Sequence, residues 1–485
     1  MDYNTFATGD IAEALSAIML THGRTPVLTN VTEITDANIL KVLNSTVSVF
    51  EQNSRESDML YDYYRGKQPI IYREKTERPE ICNVVVENRA YEIVTFKTGR
   101  FLYKDIQYTN RSEENVEEVN ALNRAMYAEG KAGKDRELAD WFHIAGHSYR
   151  LVATASDAPF HIYSVDPRRA FVVYADTVEK KPLLGVYKTV YKDDDDLMHT
   201  IYTAYTDKYV YTIENDAFTK VPHTLGDVPL IEYPANFARL GCFEVVLSLL
   251  NAINTAQSNR LDGVEQFIQA LLVFKGLDMK NGDIAELRRE GAICLPQGTD
   301  MDYLTKELNQ AQTQTLVDDL YQAILTICGM PNRNGKSSTS DNKGAVVLRD
   351  GWSAAATAVK ETKQYFEASE RRMLTMALRA FNTYRNAILD DRNDLTIEDI
   401  DIHFDEGEYE NTLEKAQVLQ MLLNNDWVHP RNAYEFSNIT SDPEAAYLAG
   451  KAYHEAVREE ELEDMESGNR NEPTFVSGHW RSENG

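Results

Sequence analysis

The sequence predicts an α+β fold, and three patterns support that prediction. In residues 243–276 the apolar side chains fall on one helical stripe for about 28 residues without proline, which predicts a rod about 40 Å long. A second amphipathic rod follows and ends at Gly329-Met330-Pro331. Over residues 149–233 the apolar period becomes two, and the enrichment in Tyr, Val and Thr indicates an antiparallel meander.

The other elements are predicted from the same two periodicities. They are helices within residues 10–66, 84–98, 117–147 and 410–466, a helix from 343 to about 391, an edge strand at 395–404 and a polar, disordered tail at 467–485. The long helix contains one interior glycine, Gly351, where we expect a kink or a break.

Composition indicates a large chain without a membrane span. Its 485 residues are expected to divide into about two to four structural units. No apolar run approaches the roughly 20 residues that cross a bilayer, and the first residues lack the features of a signal peptide, so we expect assembly in a cytoplasm. Cys82, Cys242, Cys294 and Cys328 form no C-x-x-C pair, so neither a zinc site nor a disulfide framework is predicted.

The formal net charge is −27. Affinity for duplex DNA comes mainly from cations that displace counterions from phosphates, so this chain is expected to repel DNA on average. The charge therefore excludes a tightly binding transcription factor.

Four sequence motifs carry a resemblance to a known family. They are Tyr61-Asp-Tyr-Tyr-Arg-Gly-Lys-Gln68, then Val84-Val-Val-Glu-Asn-Arg-Ala90 with Gly99, then His223-Thr-Leu-Gly-Asp-Val-Pro-Leu-Ile-Glu-Tyr233 with a short Asn-bearing turn, and Gly241-Cys-Phe-Glu244 before the first rod. In this order they resemble the portal proteins of tailed bacteriophages of the SPP1 type. The resemblance covers roughly residues 42–450.

The resemblance implies a portal fold with long stem helices, an antiparallel β-rich wing, a small α/β clip and a helical crown. The implied division is a wing at 1–240 with its β meander at 149–235, a stem helix at 241–264, a clip at 265–308, a second stem helix at 309–331, a tunnel loop at 332–344, a long kinked wing helix and edge strand at 345–404, a crown at 405–466 and the tail at 467–485.

The same resemblance implies a structural function in the virion. Subunits are expected to form a ring of about twelve at one capsid vertex, closed by heterologous contacts. The ring would conduct double-stranded DNA during packaging and ejection, and it would contact the major capsid and scaffolding proteins, the terminase large subunit and a head-completion adaptor. Assembly is expected in the host cytoplasm, without a membrane or a cofactor. The residues expected at the stem ring interface are Phe243, Leu250, Leu261, Leu316 and Leu320.

Residues 332–344 are small, polar and flexible types between two long helices, and they are basic in an acidic chain. On composition alone an ordinary surface loop is the better interpretation. The resemblance instead implies a loop that faces DNA in the channel, where a weakly attractive wall would allow translocation. The residues expected to face DNA are Arg333, Lys336, Ser337 and Lys343.

An enzyme is the main alternative, as a nucleotide-driven packaging or nucleic-acid-processing factor. Gly335-Lys336-Ser337 resembles part of a phosphate-binding loop, but Met330 occupies the position of the required glycine and a helix precedes the loop where a strand is needed. No hydrolase or kinase motif and no isolated carboxylate pair is present, so we predict no catalysis. A different capsid or adaptor component with a similar ring is the third hypothesis.

Two smaller clusters are candidate cation sites. His143 and His147 are spaced to share one helix face, but Ile144 stands where a metalloprotease has its glutamate, so packing or hydrogen-bonding roles are favoured. Asp193-Asp-Asp-Asp196 separates two strand-like segments, and a solvated hairpin tip is favoured over a cation site.

Overall fold

A computed structural model describes most of the chain. The described residues are 23–76, 78–111, 115–268, 271–275, 300–304, 310–332, 341–388, 395–404, 412–425, 427–437, 439–440 and 443–466. They divide into one unit within residues 1–406 and a C-terminal unit within 407–485.

The described helices run from α1 to α10 in chain order. They are α1 (Ile39–Tyr64), α2 (Arg89–Phe101), α3 (Val116–Ala128), α4 (Lys131–Ala145), α5 (Leu247–Ile268), α6 (Gln310–Ile327), α7 (Asp341–Ile388), α8 (Thr412–Leu423), α9 (Pro430–Ser437) and α10 (Pro443–Glu466). Short 3-10 helices occupy Pro69–Tyr72, Glu244–Val246 and Ile397–Asp399.

The described strands form four sheets. They are β1 (Val27–Thr29), β2 (Gln107–Asn110), β3 (His147–Ala153), β4 (His161–Val165), β5 (Ala170–Ala175), β6 (Pro182–Lys192), β7 (Met198–Tyr205), β8 (Tyr209–Glu214), β9 (Ala217–Pro222), β10 (Leu230–Pro234), β11 (Leu271–Lys275), β12 (Asp300–Leu304) and β13 (Ile400–His403). The sheet orders are β1-β5-β6-β7-β8-β9, β10-β3-β4, β11-β12 and β13-β2.

The six-stranded sheet is covered by α1 on one face. All its neighbouring strands are antiparallel except β1 and β5, which are parallel. Val42, Leu43 and Phe50 from α1 share one buried cluster with Phe171 and Val186 of the sheet, as alternating strand positions require. The rings of Phe50 and Phe171 stack with centroids 4.5 Å apart.

The predicted single meander is therefore two sheets. Strand β3 pairs with β10 and β4 and takes no part in the six-stranded sheet. The reason lies in its burial: His147, Ser148, Tyr149 and Arg150 are all buried, whereas a meander with one solvated face would alternate. Strand β3 is thus the central strand of an interior sheet.

Helix α7 is the main element of the central core. Its residues Phe366, Met373, Leu374 and Phe381 pack in one cluster with α3, α4 and the interior sheet. The helix continues without interruption through Gly351, so a break there is wrong, whereas the predicted kink stays a prediction; the helix begins at Asp341 rather than at 345. One glycine lowers helix stability by about 1 kcal/mol, which a helix of this length can absorb.

A buried ionic network lies beside α7. Arg150 is 2.5 Å from Asp135 and 3.3 Å from Glu370, and Lys131 is 2.8 Å from Glu370 and 2.5 Å from Asp135. Two further donors, the hydroxyls of Tyr108 and Tyr233, each lie 2.7 Å from a Glu370 oxygen. Two cations thus balance two carboxylates where α4, β3 and α7 meet, and we refer to the four charged groups and two tyrosines as the Glu370 network.

Two helical predictions differ from the structure at their boundaries. Helix α2 begins only at Arg89, because the Asn88 side chain caps it by accepting from the Tyr91 N–H at 3.2 Å. The helix predicted at 117–147 is divided at Gly130, and α4 ends at Gly146, whose φ of +76° favours glycine.

The C-terminal unit contains α8, α9 and α10 among its described residues. Ala433 of α9 is buried, and Arg431 forms an ion pair with Glu444 of α10 at 2.7 Å. A helical crown was predicted for this region, and that assignment stays a prediction.

Candidate stem and its anchoring

The motif Gly241-Cys-Phe-Glu244 forms a tight joint before α5. Asn236 accepts from the Leu240 N–H at 3.0 Å and donates to the Leu240 carbonyl at 2.9 Å, which closes the preceding turn. A Cβ at Gly241 would lie 2.3 Å from the Ile144 carbonyl oxygen, so a side chain does not fit there. Its N–H donates to Glu244 at 2.8 Å.

Glu244 is itself buried at this joint. Its other carboxylate oxygen pairs with the guanidinium of Arg24, which is also buried and lies 3.2 Å from Glu56. An unpaired buried charge is costly, so the motif glutamate and Arg24 depend on each other. The motif is therefore a structural joint, and nothing in its geometry suggests catalysis.

Two other motifs, those at 61–68 and 84–90, converge on the first turns of α5. The Tyr63 hydroxyl donates to Asn251 at 2.9 Å, and the Gln68 amide donates to Asn88 at 3.0 Å. Asn254 donates to Gln68 at 2.5 Å, which joins both motifs to the helix. Residues that are far apart in sequence thus hold the base of the predicted stem.

A ladder of hydrogen bonds continues this anchoring along α5. Three backbone N–H groups, two residues apart in residues 83–87, donate to three side chains that follow each other at one-turn intervals on α5. The pairs are Glu87 N–Asn254 Oδ1 at 2.8 Å, Val85 N–Ser258 Oγ at 3.0 Å and Asn83 N–Asp262 Oδ1 at 2.7 Å. We call residues 83–87 the strap and these three bonds the strap ladder.

Asp262 is the charged side chain of the strap ladder. Arg73 and Lys75 lie 2.9 and 2.8 Å from its carboxylate. Burial opposes its ionisation, but hydrogen bonds from Lys75 and Asn83 and the nearby Arg73 outweigh that effect and hold the pKa of Asp262 at about 2. The carboxylate is therefore ionised at any physiological pH.

The apolar stripe of α5 is buried near the joint and exposed at the far end. Phe243 and Leu250 are buried in the chain's own core with Ile253, whereas Leu261 is 44% exposed and Val264 is 37% exposed. Of the residues expected at a ring interface, Phe243 and Leu250 are therefore corrected to intrachain core residues, because the subunit itself already covers them.

Helix α6 has two apolar faces. One packs against α5 and the core through Val317, Ile324 and Leu325, and Cys328, just after the helix, joins the same cluster. The other carries residues at helical spacing that the chain leaves partly uncovered, with Leu316 at 53% and Ile327 at 55% exposure. We call the second set the outer stripe, and it comprises Leu316, Leu320, Ala323 and Ile327.

The sequence indicated these residues only in part. Leu316 and Leu320 were expected at the stem interface, but the periodicity did not separate the buried face of α6 from the outer stripe. The strap ladder was missed, although Asn254, Ser258 and Asp262 recur at a spacing of four and give a polar stripe.

The residues expected to face DNA lie almost wholly outside the described part of the chain. Arg333, Lys336 and Ser337 are not among the described residues, and the backbone of Lys343 belongs to the first turn of α7 rather than to a loop. The flanking elements are described, since α6 ends at Ile327 and α7 begins at Asp341. A connection between two helices was predicted here, and its place in a channel stays a prediction.

Both candidate histidines are buried and hydrogen-bonded. His143 Nδ1 lies 2.8 Å from the Ala139 carbonyl, and His147 Nε2 lies 3.1 Å from the Ser57 hydroxyl. Burial lowers the pKa of both imidazoles to about 3, so both are neutral. They lie on different elements, α4 and β3, and among the described residues no group of three metal-ligating side chains occurs.

The four aspartates form the tip of the hairpin between β6 and β7. Asp193 accepts from the Leu197 N–H at 2.8 Å and from His199 Nε2 at 2.8 Å. The hydrogen bond between Asp193 and His199 lowers the pKa of the carboxyl and raises that of the imidazole. Asp194, Asp195 and Asp196 are exposed, as predicted for a solvated tip.

Three of the four cysteines lie among the described residues. Cys82, Cys242 and Cys328 are free thiols, and burial raises the pKa of Cys242 and Cys328, which keeps both protonated. Across the described ranges, none of the helices is long and apolar enough to cross a bilayer. Cys294 lies outside the described residues.

These features define a structural subunit whose paired long helices are held at their base by a dense joint. Residues 48–472 match the protein family described as phage portal protein, SPP1 Gp6-like, and the chain belongs to that family. The family is structural and non-enzymatic, so the chain is a portal protein of a phage-type capsid, as predicted, and the enzyme alternative has no support. The predicted α+β portal fold is also confirmed.

Solved structures similar to the chain include the necks of two particles. The neck of a native GTA particle, computed with C12 symmetry, contains a chain with 10% identity and a TM-score of 0.40, matched over 80% of this chain and 94% of that one. The neck of an empty GTA particle, computed with C6 symmetry, gives 10% identity and 0.40 over 73% and 91%. No curated protein matches the sequence.

Proposed function

We propose that this portal protein assembles into a ring of about twelve subunits at one capsid vertex and conducts double-stranded DNA during packaging and ejection. Membership of the portal family over residues 48–472 is the observation that carries the proposal. In the proposed division, residues 1–240 form the wing, α5 and α6 the stem, 265–308 the clip and 405–466 the crown.

The stem is the proposed site of ring contacts. Leu261 of α5 and the outer stripe of α6 are apolar, follow helical spacing and remain partly exposed in the subunit. Complete burial of a leucine side chain contributes about 1.5–3 kcal/mol, and a ring repeats that contribution at each interface. Leu261, Leu316 and Leu320 therefore remain in the proposed interface, and Ile327 joins them.

The connection between α6 and α7 is the proposed DNA-facing segment. The connection carries Arg333 and Lys336, and the first turn of α7 adds Lys343 against Asp341, in a chain whose net charge is −27. Weak local attraction inside a repelling tunnel would hold DNA briefly without stopping it. The proposed partners are DNA, the major capsid and scaffolding proteins, the terminase large subunit and a head-completion adaptor, with assembly in the host cytoplasm.

Electron microscopy of the purified full-length protein in negative stain tests the ring, and native mass spectrometry counts its subunits. We expect end-on views of a pierced ring. A protein that stays monomeric at micromolar concentration and forms no ring in the presence of scaffolding and capsid proteins would contradict the proposal.

A second experiment tests the DNA-facing segment. Replacing Arg333, Lys336 and Lys343 with Ser should leave ring assembly intact, while the amount of DNA packaged or retained falls, because the local attraction is removed. The matched control replaces three exposed cations elsewhere, Lys41, Lys180 and Lys208, with Ser. Packaging by the first variant at the parent's level would refute the channel assignment without refuting the portal assignment.

A further inference from the structure

A basic cleft lies between α1, β6 and the turn that precedes β5. Its volume is about 530 Å³. Four cations line it, Arg55, Arg168, Arg169 and Lys188, against the carboxylates of Glu51 and Asp58. In a chain with a net charge of −27, an excess of positive charge in one cleft indicates a place for an anionic group.

Half of these cations are fixed by the subunit itself. Arg168 lies 2.7 Å from both Asp58 and Asp166, and its guanidinium stands over the ring of Trp141 at 5.1 Å. Lys188 lies 3.3 Å from Glu51. These contacts hold the floor of the cleft in one geometry, so a partner would not have to order it.

The other two cations are available at the rim. Arg55 and Arg169 are exposed, and in the part of the chain that the structure describes their guanidinium groups form no ion pair or hydrogen bond. The cleft therefore combines a preorganised floor with two uncommitted charges. Two cations are few for a polyanion such as DNA, which a surface with carboxylates would also repel, but they match a short acidic peptide.

The hairpin between β6 and β7 supplies such a peptide. Asp193 is committed to the turn and Asp196 lies 3.2 Å from Lys192, whereas the carboxylates of Asp194 and Asp195 are exposed and have no partner among the described residues. Leu197 and Met198, next to the tip, are 61% and 63% exposed. The tip thus offers two free carboxylates beside uncovered apolar groups.

We propose that the Asp194-Asp195 tip of one subunit docks in the Arg55-Arg169 cleft of the adjacent copy. A strand rises about 3.3 Å per residue, so the tip lies about 13 Å beyond Val190, the last cleft residue on β6, and the strand, paired with β7, cannot fold back into its own cleft. Two different, complementary patches on one chain are what a heterologous ring contact requires. The inference rests on the proposed ring and adds a second contact outside the stem.

Charge reversal of the full-length protein tests this contact. The cleft variant is R55E/R169E and the tip variant is D194K/D195K, and both spare Arg168 and Asp193, which the fold uses. Each should raise the subunit concentration needed for half-assembly by about tenfold at low salt, since several exposed ion pairs are lost and repulsion replaces them. The difference should shrink at about 0.5 M salt.

Mixing the two variants distinguishes a contact between subunits from a local effect. In an equimolar mixture, each reversed tip meets a reversed cleft on its neighbour and each normal tip meets a normal cleft, so rings should form near the parent's concentration. The single-chain combination R55E/R169E/D194K/D195K should also assemble. Analytical ultracentrifugation measures all five samples, and circular dichroism with thermal melting confirms that each variant is folded.

Two controls test whether position matters. K41E reverses an exposed cation elsewhere on α1, and D176K/E179K reverses two acids in another turn of the same sheet. Both should assemble like the parent. If a reversed variant melts early, the neutral pairs R55Q/R169Q and D194N/D195N replace it, with an expected change of about threefold.

Assembly of the cleft variant at the parent's concentration would overturn the proposed docking, and so would a mixture that assembles no better than its components. Either outcome would leave the proposed ring standing. Failure of the parent itself to form rings would instead defeat the proposed function.

Discussion

The Glu370 network and the far end of α5 differ in how completely a single subunit pairs or covers their side chains. Around Glu370, each charged group has a partner of opposite sign within the subunit, and all of them are buried. At Leu261 and along the outer stripe, apolar side chains remain partly exposed. The interior is therefore complete within one subunit, whereas the predicted stem leaves apolar side chains partly exposed that the proposed ring would cover.

The largest effect is expected from breaking the interior. E370A leaves Arg150 and Lys131 with a single carboxylate and removes the acceptor of two tyrosine hydroxyls, so the free energy of unfolding should fall by about 3–5 kcal/mol. Urea denaturation of the variant measures it. The matched control is E367A on the same helix, whose surface ion pair with Arg371 contributes at most about 1 kcal/mol.

The next prediction compares two leucines on one stripe. L250D places a charge in the subunit core and should cost several kcal/mol of stability, with loss of the folded monomer. L261D should leave the thermal melting of the monomer nearly unchanged and prevent ring assembly, because the charge would be buried only in the ring. Rings formed by L261D at the parent's concentration would remove Leu261 from the proposed interface.

A smaller effect is expected at the strap ladder. D262N keeps the shape of the side chain but removes the charge opposite Arg73 and Lys75, so unfolding should become easier by about 1–2 kcal/mol at neutral pH.

The same variant has a pH signature. Asp262 has its folded pKa depressed to about 2, so its contribution is present above the unfolded value of about 4 and is lost as pH falls from about 4 to 2. D262N should lose stability less steeply than the parent in that range. If the variant and the parent lose stability equally steeply between about pH 4 and 2, Asp262 does not cause the acid destabilisation.

The smallest effect at neutral pH is expected for His147. The folded pKa of His147 is about 3, whereas the unfolded value is about 6.5. Between these values the unfolded chain binds a proton that the folded chain does not. The free energy of unfolding therefore decreases by about 1.4 kcal/mol for each unit by which the pH is lowered. H147Q should remove this contribution, so the free energy of unfolding of the variant should depend less steeply on pH than that of the parent between pH 6 and about 4. H143Q should do the same, and a slope unchanged in both variants would contradict buried neutral imidazoles.

The sequence predicted the elements whose pattern is local. The rod of α5 and most strands of the six-stranded sheet follow from spacing alone. The rod is shorter than predicted, because α5 ends at Ile268 after 22 residues and Leu271–Lys275, which the spacing placed on the rod, forms the strand β11. The division into two sheets did not, because the pairing of β3 with β10 joins segments about eighty residues apart along the chain. The continuity of α7 through Gly351 also depends on tertiary packing, which overrides a propensity of about 1 kcal/mol.

For the candidate stem, the sequence identified apolar residues but not their partners. Leu250 and Leu261 belong to the same stripe, and only the course of the surrounding chain makes one buried and the other exposed. The Glu370 network was missed for a similar reason, since Lys131, Arg150 and Glu370 become neighbours only in the fold. The pattern of one sequence predicts on which face of a helix or strand a residue lies. The residues that it contacts depend on the topology of the fold.

The strap ladder has a mechanical consequence for α5 in the predicted stem. Four residues of helix rise about 6 Å, and two residues of chain as extended as a strand rise about 6.7 Å. The two spacings agree closely enough for three rungs, with a mismatch of about 0.7 Å at each step. A shift of α5 along its axis would have to break all three rungs together before they could form again one step away, about 6 Å further on. Bending would load the rungs one after another. We therefore expect the strap to resist displacement of α5 along its axis more strongly than it resists a tilt of α5.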